Sequence, residues 1–328
     1  MSFRPESFEE FTGQELAKKQ LKLMADSAMK RGEAMPHVLL SGPAGLGKTT
    51  LAYIVARYMG VNFHITSGPV LEKAADIAAV LARLEEKDVL FIDEIHRLPR
   101  HVEEVLYPAL EDYKLDLVVG GAASSRVIRI DLPPFTLIGA TTRPGLLTPP
   151  LRDRFRRIIT LEYYSGEDLA NMAKILAEKM KIKLSDEARI ELGRRARGVA
   201  RQLVNLILAV RDYATVNEIE EVDVEDVRKA LEVLGIDSDG LTNLDMKVLR
   251  VLAEKFGGGP VGIATLAAAV GEEKETLEEV YEPFLLRCGY IKKTNRGREL
   301  TLAGWEKVRS FAGFSTFEKD LSKEGLFK

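Results

Sequence analysis

The chain reads Gly42-Pro43-Ala44-Gly45-Leu46-Gly47-Lys48-Thr49 and, further on, Val89-Leu90-Phe91-Ile92-Asp93-Glu94-Ile95-His96. The first stretch is a complete phosphate-cradling loop. Gly42, Gly45 and Gly47 let successive backbone N–H groups point into one concavity, and the following helix adds the positive end of its dipole. Lys48 is expected to reach the β- and γ-phosphates of ATP, and the Thr49 hydroxyl to complete a Mg2+ shell. The second stretch suits a buried parallel strand ending in two carboxylates. Asp93 is placed to hold the metal through water, and Glu94 to orient the attacking water. A Gly-rich turn before an ordinary helix, or two exposed acids closing a strand, are the bland readings. The order and spacing of the two stretches favour ATP binding and hydrolysis.

Around these stretches the first half alternates apolar strands with amphipathic helices. Strands are expected at His37–Ser41, Asn62–Thr66, Val89–Ile92, Phe135–Ala140 and Ile158–Leu161, so the fold class is an α/β P-loop NTPase with a parallel sheet. Residues 114–132 break the alternation with two strands around a Gly/Ala/Ser turn, which describes an inserted hairpin. After Tyr164 the pattern is wholly helical, with capped starts at Ser165, Ser185 and Asp223. Beyond residue 240, three helical patterns (242–255, 262–269 and 274–286), a strand–turn–strand at Tyr290–Leu300 and a last helix describe a winged helix. The expected domains are therefore 1–164, 165–235 and 240–328, the middle one a small all-helical lid.

The length of 328 residues suffices for two or three such cores. No apolar run approaches the roughly 20 residues of a membrane span, and no export segment is visible at the amino end. Cys288 is the single cysteine, which excludes an internal disulfide framework and a multi-cysteine zinc site and fits a reducing, cytoplasmic setting. His37, His64, His96 and His101 are not at metal-ligand spacing, so structural or surface roles are expected. The net charge of −3 decides nothing about partners, because nucleic acid needs only a local basic patch. Such a patch exists in Arg287, Lys292, Lys293, Arg296 and Arg298, with Lys274 at a helix start nearby. Phosphate contacts from a wing, or a solvated wing on a protein-binding module, both fit that composition.

Several strings carry a family likeness: Met1-Ser2-Phe3-Arg4-Pro5, Thr12-Gly13-Gln14, the loop with Thr49-Thr50, Thr66-Ser67-Gly68-Pro69, the segment Phe91 to Leu98, Gly139-Ala140-Thr141-Thr142-Arg143, Tyr107 to Tyr113, Pro150 to Phe155, Gly258 to Gly262 and Arg296-Gly297-Arg298. Together they resemble the RuvB family of AAA+ ATPases, the bacterial Holliday-junction branch-migration motors. The resemblance implies an ATP- and Mg2+-dependent translocase that forms a hexameric ring on duplex DNA. Thr142 would sense the γ-phosphate, Arg154 would enter the neighbouring subunit's site, and Arg201 would report the nucleotide state to the lid. Phe3, Arg4, Thr50 and Tyr164 would also line the nucleotide site, and Glu111, Asp112 and Tyr113 would sit at the nucleotide-bearing interface. Lys274, Lys293, Arg296 and Arg298 would contact DNA.

From residues alone, Arg152, Arg154, Arg156 and Arg157 could equally be a solvated basic cluster. The hairpin, with Leu115, Leu117, Val119, Ile128 and Ile130, would be the docking surface for the junction-binding partner RuvA; packing on its own domain is the other reading. Four departures stand out: Ala44 for a proline, Arg156 for a glycine, Val199-Ala200 for Thr-Pro before Arg201, and Asn295 for the wing proline. The rival functions are an AAA+ switch of clamp-loader or scaffold type and an operator-reading regulator. The glutamate-rich 274–286 helix speaks against the regulator.

Overall fold

Five short strands build the parallel sheet that the strand–helix alternation predicts. In chain order they are β1 (Val38–Ser41), β2 (Phe63–Ser67), β3 (Val89–Asp93) and, after a hairpin of β4 (Lys114–Val119) and β5 (Arg126–Asp131), β6 (Thr136–Thr141) and β7 (Arg157–Thr160). They lie in the order β2-β3-β6-β1-β7, each pair parallel. β1 and β6 are buried at every position and β3 at all but its last, which is why they read as continuous apolar runs rather than alternating ones. Helices α1 (Glu15–Arg31), α2 (Lys48–Met59), α3 (Ala74–Leu81), α4 (Arg100–Glu111) and α5 (Pro149–Asp153) complete this layer architecture.

The late strand β6 lies between β3 and β1, with Thr141 level with Ser41 and Gly139 level with Ile92. Three chain exits are therefore neighbours at the carboxyl ends of the strands: the loop after β1, Asp93–Glu94 after β3, and Thr142 after β6. That edge is where open α/β sheets hold their ligands.

The computed structural model describes residues 3–119 and 126–311. It divides into two compact units, Met1–Arg211 with Glu218–Val222, and Asp212–Asn217 with Asp223–Lys328. The first unit also takes in α6 (Gly166–Met180), α7 (Asp186–Arg195), most of α8 (Ala200–Val216) and the two-residue strands β8 (Lys183–Leu184) and β9 (Glu221–Val222). These helices join the sheet domain because they bond to it: the Tyr164 hydroxyl donates to Leu46 O at 2.8 Å, Arg201 N–H to Gly45 O at 3.3 Å, and Lys179 to Glu10 at 3.4 Å. Ser165 and Ser185 cap α6 and α7 as expected, accepting from Asp168 N and Ala188 N.

The two expected strands pair antiparallel, with Leu115 opposite Ile130. Leu115, however, is not part of an exposed apolar projection. It is 1% exposed and belongs to the domain core with Leu132 and Phe135, because the hairpin leaves directly from the end of α4 and its base packs inward. Ile128 and Ile130 are exposed, and the side chains of Leu117 and Val119 lie outside the described residues.

The second unit contains α9 (Val224–Val233), α10 (Asn243–Phe256), α11 (Ile263–Val270), a helical stretch, the wing strands β10 (Ile291–Thr294) and β11 (Gly297–Leu300), and a closing helix, Leu302–Ser310. The stretch expected as one helix over 274–286 is broken: α12 (Lys274–Thr276) and α13 (Glu282–Arg287) are joined by a π turn at Leu277–Tyr281. Pro283 supplies no N–H to the ladder at that point, which accounts for the widened turn.

In the first unit, His37 is buried, its Nε2–H donating to Leu110 O at 3.1 Å while Nδ1 accepts from Leu137 N–H at 2.9 Å. Burial pushes its pKa from 6.5 down to about 4. Below pH 6.5 the unfolded chain binds a proton that the native ring refuses, so stability should fall as pH drops from 6.5 to 4. The loss should reach up to about 3 kcal/mol. Urea unfolding across that range and NMR titration of the ring, with a midpoint near 4, check this.

Candidate nucleotide and nucleic-acid sites

Backbone conformation and crowding together require glycine in the loop. Gly42, Gly45 and Gly47 all have positive φ (136°, 80° and 98°). A Cβ there would come within 2.5 Å of Leu161 O, 2.7 Å of Val199 Cγ1 and 2.8 Å of Phe11 Cζ, respectively. α2 begins immediately afterwards, at Lys48. The Lys48 ammonium donates to the loop carbonyls of Gly42 (2.7 Å) and Pro43 (2.8 Å) and is 7% exposed. Burial lowers its pKa; Asp93 and Glu94 oppose that shift, and Arg201 adds to it. Among the described residues no carboxylate forms an ion pair with it. It is a buried cation short of counter-charge, facing a cavity.

That cavity, about 420 Å3, is lined by Phe3, Arg4, Gly45, Gly47, Lys48, Thr49, Thr50, Asp93, Glu94, Tyr164 and Arg201, all expected from sequence. Arg201 lines it even though its helix begins at Ala200 rather than at a proline. Sequence reading missed the apolar lining of Phe11, Met172, Ile175, Leu176 and Val204. For Met172, Ile175 and Leu176 the signal was the apolar face of α6, which an isolated sequence assigns to core packing. This greasy wall opposite the polar loop suits a purine ring, and the loop suits phosphates.

Asp93 closes β3, and its Oδ1 accepts the Glu94 N–H at 3.0 Å. Among the described residues no group of three or more His, Cys, Asp or Glu could hold a metal unaided. One hydroxyl (Thr49) and one carboxylate (Asp93) at the cavity do fit a cation that keeps most of its shell as water and phosphate oxygen, as Mg2+ does. Thr142 does not line the cavity, but its hydroxyl donates to Glu94 Oε2 at 3.2 Å. His96 was expected to have a structural or surface role, yet its Nδ1 lies 3.2 Å from the same oxygen.

Arg154, Glu111, Asp112 and Tyr113 are not among the cavity residues. Arg154 pairs with Glu111 at 3.0 Å, donates to Pro150 O at 2.6 Å and lies 4.2 Å over the Tyr107 ring, so it is not a freely solvated arginine. Tyr107 itself donates to buried Glu103 (3.0 Å), which also accepts from Thr148, the cap of α5. Tyr113 packs edge-on against His37 and Phe135. Arg156, in place of a glycine, has no positive φ to accommodate, and its N–H donates to His37 O.

In the second unit Lys274, Lys293 and Arg296 are exposed on the helical stretch and the wing. Arg298 is not available to phosphate as expected. It is 7% exposed and donates from Nε and Nη2 to the buried Glu282 carboxylate, the Nη2 contact at 3.0 Å, with Glu278 at 3.8 Å. Its place in the strand explains the miss: Arg298 lies within β11 on the same face as buried Leu300, whereas exposed Arg296 sits in the turn before the strand. Lys292 is also committed, to Glu299 at 2.9 Å.

Comparison with known proteins covers nearly the whole chain. Residues 3–161 match the family model described as "Holliday junction DNA helicase RuvB P-loop domain", residues 164–237 the "RuvB AAA lid domain" and residues 238–309 the "RuvB C-terminal winged helix domain". A protein of Clostridium kluyveri named "Holliday junction branch migration complex subunit RuvB" is 48% identical over 327 residues, 99% of this chain and 93% of that protein. Its namesake in Kosmotoga olearia is 50% identical over 300 residues, 92% and 88% of the two chains. A solved structure titled as the Thermotoga maritima RuvB Holliday junction branch migration motor superposes with a TM-score of 0.86 at 45% identity, covering 94% of this chain and 99% of that one.

The loop geometry makes its own prediction. Gly42→Ala should cost about 3 kcal/mol, combining a disallowed φ with a backbone clash. Gly60→Ala, at φ 70° with nothing within 4 Å, should cost only about 1 kcal/mol. Denaturant midpoints of the two variants check the difference.

Proposed function

Because the chain belongs to the RuvB family of P-loop ATPases, we propose that it is an ATP-driven motor that translocates duplex DNA and moves a Holliday junction, acting in the bacterial cytoplasm. The observation that carries the reading is the Lys48 ammonium, buried beside the cavity, without a paired carboxylate among the described residues and flanked by Asp93, Glu94 and Arg201. A triphosphate supplies the charge that this site lacks.

In this reading Lys48 and the loop amides bind the β- and γ-phosphates, and the apolar lining with Phe3, Arg4 and Tyr164 takes the base and ribose. Thr49 and Asp93 would hold Mg2+, which when bound neutralises phosphate charge. Glu94 accepts a proton from the attacking water, and Thr142, already bonded to Glu94, stands beside the γ-phosphate. Arg201, carried by α8, couples the bound nucleotide to the lid.

Arg154 acts on the neighbouring subunit's nucleotide. It lies outside its own cavity, and among the described residues its buried Nε has no hydrogen-bond partner. A group lent to the next subunit demands head-to-tail packing, which closes into a ring, here a hexamer. Glu111, Asp112 and Tyr113 belong to that seam. The exposed hairpin residues Ile128 and Ile130 would meet a RuvA-like partner, and Lys274, Lys293 and Arg296 would grip the DNA backbone.

ATPase rate against duplex length tests the motor: turnover should rise with length, whereas a switch that releases its partner once would be indifferent to it. Arg154→Ala should keep nucleotide binding and lose about 10³-fold or more in turnover. Mixing it with Lys48→Ala subunits should restore part of the activity, since intact halves then meet at some seams. For the head, Arg298→Ala should cost about 3 kcal/mol of stability by stranding Glu282. Lys293→Ala and Arg296→Ala should fold normally, and each should reduce the salt slope of DNA binding by about 1. Thermal melts and salt-titrated DNA affinities check this pair.

A further inference from the structure

Glu94 is held from three sides. Its backbone takes a left-handed conformation, φ 46°, where β3 ends. Its carbonyl is seated against Gly68, where a Cβ would come within 2.4 Å of the oxygen. Its Oε2 accepts from the Thr142 hydroxyl at 3.2 Å and lies 3.2 Å from His96 Nδ1. Among the described residues its Oε1 has no partner.

The His96 ring is 8% exposed and stands on the 3-10 turn Ile95–Arg97, whose Ile95 is in the core. Nδ1 is also 2.9 Å from Thr141 Oγ1, which accepts the Arg143 N–H at 3.0 Å. A carboxylate only accepts, so a hydrogen bond across the 3.2 Å to Glu94 Oε2 requires the Nδ1–H tautomer, whose proton the threonine oxygen at 2.9 Å would share.

We propose that His96 is a positioning residue for ATP hydrolysis: with Thr142 it anchors Glu94 Oε2, so that Oε1 is the oxygen presented to the attacking water. The proposal rests on the ATPase reading of the site. In the step it serves, the water oxygen forms a bond to the γ-phosphorus as the bond from that phosphorus to the β–γ bridging oxygen breaks. The water proton passes to Glu94 Oε1, and ADP leaves with the bridging oxygen. A glutamate has several rotatable bonds, and two donors on one oxygen select a single arrangement before the water arrives. A base displaced by about 1 Å can lose about 10²-fold in rate.

Donor and packing roles are separated by two variants with opposite content. His96→Phe keeps a ring and removes the donor; His96→Asn keeps a donor near Nδ1 and removes ring volume. His96→Phe should lower kcat by about 10- to 100-fold with KM for ATP and nucleotide affinity within about twofold, and His96→Asn should stay within about threefold of wild type. In a Glu94→Gln background, His96→Phe should add no further loss.

The reverse order, with phenylalanine active and asparagine impaired, overturns the proposal, as does a loss additive to that of Glu94→Gln. If His96→Phe fails to fold, His96→Asn decides alone: a kcat loss beyond tenfold overturns the proposal and a smaller one supports it. A wild-type protein without ATPase activity, or full turnover in Glu94→Gln, overturns the site reading itself, and both are measured in the same series.

Discussion

The constraint on which the rest depends is the placement of β6 between β1 and β3 in parallel register. Parallel pairing makes all three strands end at the same edge, and the level match of Thr141 with Ser41 leaves little freedom in where their exits fall. A phosphate loop, two carboxylates and a threonine, far apart in the chain, thereby become neighbours without any of them crossing the core. Full burial of β1 and β6 enforces this arrangement, since a slip of one strand would strand backbone N–H and C=O groups in an apolar interior. Specificity of position at the site is thus inherited from the sheet, not from the loops.

Much of this was legible in the sequence because the signals are local. The loop glycines, the apolar run before Asp93 and the caps at Ser165, Ser185 and Asp223 each depend on a few adjacent residues, and the structure shows all of them where expected. What failed was orientation. Leu115 and Ile130 face each other in the hairpin, yet one is buried and the other exposed, and only the packing of the hairpin base decides which. Arg298 belongs to the same basic run as Arg296, but it lies within β11 beside the buried Glu282, while Arg296 stays in the turn. His96 escaped notice because its partner, Thr141, is 45 residues away and meets it only through the register of β3 and β6.

Charge management differs between the two units. In the first, a cation is buried with too little opposite charge, which costs free energy in the empty protein and is relieved when an anion binds. Such a site is tuned for a ligand and not for maximal stability of the free chain. In the second, the buried cation Arg298 is fully matched by Glu282, and Glu278 lies close by. Two glutamates of the helical stretch that would otherwise oppose a polyanion are thus turned toward the protein itself.

That internal match has an evolutionary corollary. Since the wing keeps the Arg298 guanidinium walled off from solvent, exposed Lys274, Lys293 and Arg296 carry none of its buried charge pairing. Grip on a polyanion can then drift, strengthen or weaken through exchanges at the surface while the scaffold beneath stays the same. Asn295, exposed in the turn between β10 and β11, stands at such a surface position.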